Sequence, residues 1–303
     1  MIESLKILVV SQKGGVGKST LSSNLVGWLG EQKNLTTMIL DFDPHASSSS
    51  WVKELKPKNV TVNSAVTTDF SAQRWFIGAR SKIRKIETFY KIIVADVTWT
   101  QGMNSDFLKE FNLVIVPTSV SKLDIDATNS FISKNFNFSS NKLTKNQFNN
   151  HFPPSLLLLP SMVTDEQLRS NPFSKQNFDF PFLLLPPIPL DKDVRLLFNE
   201  KFIFQTNYKS KKHYEVCFEA ILQAGKVHIR EKQSFRFNQN KPKQIVRQYS
   251  NLTHDKKPQV KTWSTSSKSE IHNAENIARI INIEKKNKTT SRKKSWFQRI
   301  SPW

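Results

Sequence analysis

Residues 6–20, Lys-Ile-Leu-Val-Val-Ser-Gln-Lys-Gly-Gly-Val-Gly-Lys-Ser-Thr, restrict the fold more tightly than any other stretch of the chain. Lys6 to Val10 is an apolar, β-branched-rich run, the pattern of a strand buried on both faces of a parallel sheet. Gly14, Gly15 and Gly17 then break the regular backbone, and Leu21, Leu25 and Leu29 follow at helical spacing. A glycine loop joining a strand to a helix is the setting that separates a phosphate-binding loop from a chance cluster of glycines. The expected architecture is therefore α/β: a mostly parallel twisted sheet with helices on both faces.

The residue types within the loop suit an anion. Glycines allow the backbone N–H groups of Gly14, Gly15, Val16 and Gly17 to turn inward as a nest for anionic oxygens. The helix opening near Lys18 adds unpaired N–H groups and the positive end of its dipole. In such a loop Lys18 reaches the β- and γ-phosphates, the Ser19 hydroxyl ligates Mg²⁺, and Thr20 accompanies them at the α-phosphate.

Lys13 stands before the two glycines, giving Lys-Gly-Gly-Val-Gly-Lys-Ser-Thr. This resembles the deviant Walker A box of the ParA/MinD group of ATPases. The resemblance implies a P-loop NTPase fold, ATP and Mg²⁺ as ligands, and a nucleotide-sandwich homodimer in which Lys13 reaches the partner's phosphates. Such a lysine would neutralise charge in trans, as an arginine finger does elsewhere.

Three later segments extend the resemblance. Thr36–Leu40 is predicted as a strand ending in Asp41-Phe42-Asp43-Pro44-His45, and carboxylates at that end of a parallel strand lie beside the ligand crevice. It is similar to the Asp-x-Asp-Pro-Gln segment of ParA proteins, with His45 in place of the glutamine. By that likeness Asp43 positions or deprotonates the attacking water and Asp41 supports Mg²⁺. Ile92–Ala95 followed by Asp96 has the form of a Walker B strand, with Asp96 holding a magnesium-bound water. Trp99, in the loop beyond, is either a packing residue or part of a dimer face. Leu113–Thr118 ends in the Val-Pro-Thr that ParA-like proteins also carry.

Elsewhere Phe70–Phe89 suits an amphipathic crossover helix, Asp124–Phe138 a second helix, and Ser139–Asn150 an exposed loop. Leu156–Leu159 and Phe182–Leu185 read as further strands stopped by proline. Pro187-Ile188-Pro189 leads to Val194-Arg195-Leu196, which resembles a stretch of partition proteins where an arginine contributes to DNA binding, so Arg195 is a candidate. Tyr214–Gln223 has helical spacing, and Gly225 is expected to cap it and close an ATPase domain spanning 1–225.

Charge separates the remainder. The chain of 303 residues carries +20, and residues 226–303 hold 19 Lys and Arg against 5 Asp and Glu. Low hydrophobicity with such charge predicts a largely disordered basic tail that seeks an anionic partner. Within it, Ile271, Ala274, Ile277 and Ile281 could line one face of a short helix. At the end, 292–303 mixes cations with Trp296, Phe297, Ile300 and Trp303, which fits a membrane-surface anchor like the terminal helix of MinD proteins or a grip on DNA phosphates.

Composition removes several classes. Cys217 is the single cysteine, so there is no intramolecular disulfide and no thiolate set for the iron–sulfur branches of the superfamily. Apolar runs fall well short of the roughly 20 residues of a membrane span, and the start goes straight into the first strand without a signal peptide. The chain is expected in the cytoplasm, on the nucleoid or a membrane surface. The resemblance implies a ParA-type partition or positioning ATPase that binds DNA without sequence preference under ATP and answers to a ParB-like centromere-binding partner. A MinD-like membrane-associated regulator and a non-hydrolysing adaptor are the competing readings.

Overall fold

The computed structural model describes residues 3–64, 72–136, 152–170 and 181–240. Its centre is β1 (Leu5–Ser11), hydrogen-bonded in parallel to β4 (Ile92–Thr98) on one side and β5 (Leu113–Thr118) on the other. β2 (Thr37–Asp41) and β3 (Val60–Ser64) extend the sheet beyond β4, while β6 (Ser155–Pro160) and β7 (Leu183–Leu184) extend it beyond β5. The order is β3-β2-β4-β1-β5-β6-β7, and every pairing is parallel.

Alternation along the strands explains the layers. Leu5, Ile7 and Val9 of β1 face one core together with α1 (Lys18–Glu31), α2 (Ser47–Leu55) and α6 (Lys211–Asn240). Leu8 and Val10 face the opposite core with α3 (Ala72–Ile86), the 3₁₀ turn Ser105–Glu110 and α4 (Lys122–Asn135). A strand apolar on both faces can be satisfied only by helices above and below it. The short α5 (Asp165–Ser170) follows β6.

Register brings the strand ends into line. Asp96 lies level with Val9 on one side and with Asp41 on the other, and Thr98 lies level with Ser11. Phosphate loop and carboxylates thus share the carboxyl edge of the sheet, where open α/β folds bind their ligands.

Several expectations are corrected. Gly225 does not end a helix: α6 runs through it to Asn240, so the boundary expected there falls inside a continuous helix. Gly225 is needed for approach, because a Cβ there would come within 2.4 Å of the Leu5 side chain. Residues 226–240, expected to belong to a largely disordered tail, are held by both apolar and polar contacts: Ile229 packs against the core, and the Phe152 ring meets those of His228 and Phe235 at 5.0 and 5.5 Å. His228 Nδ1 lies 2.9 Å from Ser155 Oγ, and Lys232 Nζ pairs with Glu3 at 2.6 Å. β3 and α2 have no counterpart among the elements expected from the sequence. The helix expected over Asp124–Phe138 starts two residues earlier, capped by the Ser121 hydroxyl, which accepts from the Asp124 N–H at 3.2 Å. Residues 139–150, the predicted tail from 241 onward and the 292–303 tip lie outside the described residues. Among the described residues no helix is long and apolar enough to cross a membrane.

Candidate functional site

The loop between β1 and α1 is built by its glycines. Gly15 (φ +75°) and Gly17 (φ +84°) occupy the left-handed region, and Gly17 is the N-cap of α1. A side chain at either position would be strained. Two contacts brace the loop: Ser11 Oγ donates to the Lys13 carbonyl at 2.7 Å, and Ser161 Oγ donates to the Val16 carbonyl at 2.8 Å. Val16 itself is buried, while Gly14 and Gly15 are exposed. The first N–H groups of α1, which have no partner within a helix, open at this loop.

Its two lysines have opposite surroundings. The Lys18 side chain is only 8% exposed, with Nζ 4.0 Å from Asp43 Oδ2. That of Lys13 is 51% exposed and forms an ion pair with Asp124 at the start of α4. Ser19 and Thr20 are half-buried in the first turn of α1.

Three buried carboxylates converge on Lys18 from β2, β4 and the loop after β2, and they differ in how well they are satisfied. Asp41 is fully engaged by backbone: its Oδ1 accepts from the Asp43 N–H at 3.0 Å and its Oδ2 from the Ser49 N–H at 2.8 Å. It therefore shapes the loop and secures the first turn of α2. Asp43 accepts from the His45 N–H at 3.0 Å and from the Thr98 hydroxyl. Burial would raise the Asp43 pKa, but those two hydrogen bonds and the charges of Lys18 and His45 outweigh it and hold the group below the usual carboxylate range.

Asp96 is the exception. It is fully buried, and neither carboxylate oxygen has a hydrogen-bond partner of ordinary geometry. Burial, aided by the charge of Asp41, pushes its pKa up to about 6 against the opposing pull of Lys18. The hydroxyls of Ser48 and Ser19 lie near enough to lower it slightly, yet Ser48 Oγ is also buried without a partner.

Three acids around one lysine leave negative charge in excess, and an orphaned carboxylate beside two serine hydroxyls fits a hard cation. Among the described residues no group of three or more His, Cys, Asp or Glu side chains forms a metal cage. Mg²⁺ does not require one, because it typically takes one or two protein oxygens together with water and substrate phosphates. Ser19 and Asp96 could supply those oxygens. Asp41, whose oxygens are already occupied by backbone N–H groups, is better suited to hold the loop than to face a metal.

The remaining predicted positions are spread more widely. Trp99 is buried with its ring 5.7 Å from that of Phe131, so it is a packing residue of the α4 side. Arg195 is exposed in a 3₁₀ turn (Asp193–Leu197) and has no ion-pair partner among the described residues. Sequence reasoning missed Thr98, Ser48, Asp124 and Ser161. Only Thr98 carried a signal, since it lies two residues beyond Asp96 on the same strand.

A glycine nest at the carboxyl edge of a parallel sheet, with a buried lysine and convergent carboxylates, defines a P-loop nucleotide-binding protein. The sequence matches the CobQ/CobB/MinD/ParA nucleotide binding domain family over residues 7–291, and the chain belongs to that family. Among solved structures it is similar to a plasmid partition protein of Borrelia burgdorferi B31 bound to AMPPNP, at 22% identity and a TM-score of 0.54, covering 73% of this chain and 99% of that one. It is also similar to the septum site-determining protein MinD of Pyrococcus horikoshii complexed with Mg-ADP, at 16% identity and a TM-score of 0.53, covering 74% and 98%. At these identities the likeness concerns the fold. A comparison with curated proteins gives no match.

Proposed function

We propose that this protein is an ATP-dependent, dimerising ATPase of the ParA type, acting in partition or intracellular positioning through ATP-controlled, non-specific DNA binding. The observation that carries the reading is the division of labour between the loop lysines. Lys18 is committed to its own pocket, while Lys13 points to the outside of the same loop and is held at the surface by Asp124. Released from that pair, the cation would be free to meet a second copy's triphosphate.

Within one subunit the loop N–H groups and Lys18 bind and orient the phosphates. Asp43, kept ionised and fixed by Thr98 and His45, is positioned to align a water for attack on the γ-phosphorus as the β–γ bridge breaks. Mg²⁺, when bound beside Ser19 and Asp96, neutralises charge on the phosphate oxygens. The partition and MinD names among the structural relatives support the positioning role. In this reading a ParB-like partner would stimulate hydrolysis.

Light scattering during size exclusion, with ATP and a non-cleavable analogue, tests the reading. Wild type is expected to dimerise with either, and Lys13→Ala to remain a monomer while still binding nucleotide. A Lys13→Ala dimer indistinguishable from wild type would refute the trans role. Phosphate release should be slow in wild type and absent in Asp43→Ala; equal near-zero rates would reduce the protein to a nucleotide-sensing adaptor.

A further inference from the structure

Away from the nucleotide site, α3 carries Arg74, Arg80, Lys82, Arg84 and Lys85 and no acidic residue. Its apolar face is used up in the core by Trp75, Phe76, Ala79 and Ile83. Its outer face borders a groove of about 440 Å³ lined by Phe76, Ile77, Arg80, Ser81, Arg84 and Lys85.

Two of these arginines are held in place. Glu110, at the end of the neighbouring 3₁₀ turn, has a side chain only 5% exposed; one oxygen accepts from Arg84 Nε at 3.3 Å and the other lies 2.7 Å from Arg80 Nε, an ion pair without hydrogen-bond alignment. Arg80 also lies over the Phe76 ring at 5.8 Å. A single buried carboxylate thus holds two guanidinium groups one helical turn apart, Arg84 by a hydrogen bond and Arg80 by charge, with the Phe76 ring beneath it. Their terminal nitrogens meet no acceptor among the described residues, and the unit keeps a net positive charge. Guanidinium forks fixed in this way match phosphate oxygens, and the Ser81 hydroxyl and Lys85 ammonium lie exposed beside them.

We infer that the outer face of α3 is a docking surface for the phosphodiester backbone of DNA, with Arg80 and Arg84 as the oriented contacts and Lys85 and Ser81 as their neighbours. The inference rests on the DNA-binding part of the proposed function and names the surface that makes the contact. Fixed forks and an all-basic helix complement a regular row of phosphates. A lipid surface fits less well, because a membrane-lying helix needs a broad free apolar face, whereas Trp75, Phe76, Ala79 and Ile83 are buried and Ile77 alone is a large apolar side chain exposed beside the basic groups. The same helix presents Trp75 to Phe42, the residue between Asp41 and Asp43, at a ring separation of 5.6 Å. Docking surface and nucleotide loop therefore share one packed element.

The test is binding of the full chain to a fluorescent mixed-sequence duplex across a salt series. Ser81→Glu/Lys85→Glu reverses charge in the groove without disturbing Glu110. It should weaken binding at least about 10-fold and reduce the log–log salt slope by about 1–2. Arg80→Lys, which keeps charge but loses the fork, should weaken it about 3-fold or more. Lys53→Glu, on α2 across the sheet, should leave it unchanged. Wild type that binds DNA alongside an equally competent double variant overturns this surface and leaves the proposed function standing. Wild type that binds no DNA in any nucleotide state overturns the DNA step itself. Equal losses in the double variant and Lys53→Glu would mean diffuse charge and no docking site. Loss of binding to phosphatidylglycerol vesicles with DNA binding intact would assign the face to membranes instead.

Discussion

The two ends of the central sheet treat charge in opposite ways. At the amino ends of the strands the charged contacts are matched. Lys6 pairs with Glu87 at 2.6 Å, Glu3 takes Lys232 and Arg236, and His228 meets Ser155. At the carboxyl ends Asp41, Asp43 and Asp96 crowd a single Lys18, and the Asp96 oxygens lack partners. One end is arranged to hold α6 to the sheet. The other retains an excess of negative charge that a bound cation would relieve. Buried unpaired charge is expensive, so its persistence at one edge marks that edge as the place where something binds.

Removing the buried lysine should have the largest effect. Lys18→Ala is expected to lower nucleotide affinity by about 100-fold or more, read by calorimetry or by loss of the ATP-induced rise in Tm. Retention of that rise would break the contrast between the ends.

Next comes the orphaned carboxylate. The Asp96 pKa is raised in the folded state, so its contribution is fully present below the unfolded carboxylate value and is lost as pH rises through about 6. Without nucleotide at pH 7, Asp96→Asn should therefore be more stable than wild type by roughly 2–3 kcal/mol in urea melts. The same substitution should shrink the stabilisation by Mg²⁺ and nucleotide together.

His228 has the opposite sign. Burial and the charge of Lys232 depress its pKa to about 4, against a smaller opposing effect of Glu3. The stability it supplies is present above the unfolded histidine value near 6.5 and is lost as pH falls toward 4, by roughly 2 kcal/mol. His228→Leu should flatten that acid limb, and hydrogen exchange should show wild-type α6 loosening beyond Gly225 over the same range.

The smallest effect belongs to the surface pairs at the amino end. Glu3→Gln should cost less than about 1 kcal/mol, and its effect should diminish in high salt.

These contrasts also show what the sequence could reveal. Leu5–Ser11, Ile92–Thr98 and Leu113–Thr118 were legible because strands buried on both faces leave unbroken apolar runs, and the glycine loop because few other settings require that spacing. β3 was hidden: Val60-Thr-Val-Asn-Ser is a half-exposed edge with only two apolar residues. α2 begins with four serines, and its first turn is secured by the Asp41 carboxylate, a contact no local pattern announces. The second half of α6 escaped because its two apolar anchors, Ile229 and Phe235, are sparse among small or polar ones, Gly225, His228, Lys232 and Arg236, so a search for apolar spacing passes over them. In the candidate site, Lys18, Ser19, Asp43 and Asp96 stand out by type and spacing, whereas Thr98, Ser48 and Asp124 join them only once strands and loops are brought together.

The path of α6 has a geometric consequence. Cys217 and Phe218 lie in the core, Gly225 touches Leu5 at the foot of β1, and Lys232 and Arg236 reach Glu3 beyond it, so the helix descends away from the phosphate loop. The last turns of α6 consequently stand at the pole opposite the nucleotide loop. Were two molecules to meet loop to loop, these ends of α6 would stand on the outer faces of the pair, clear of the seam between them.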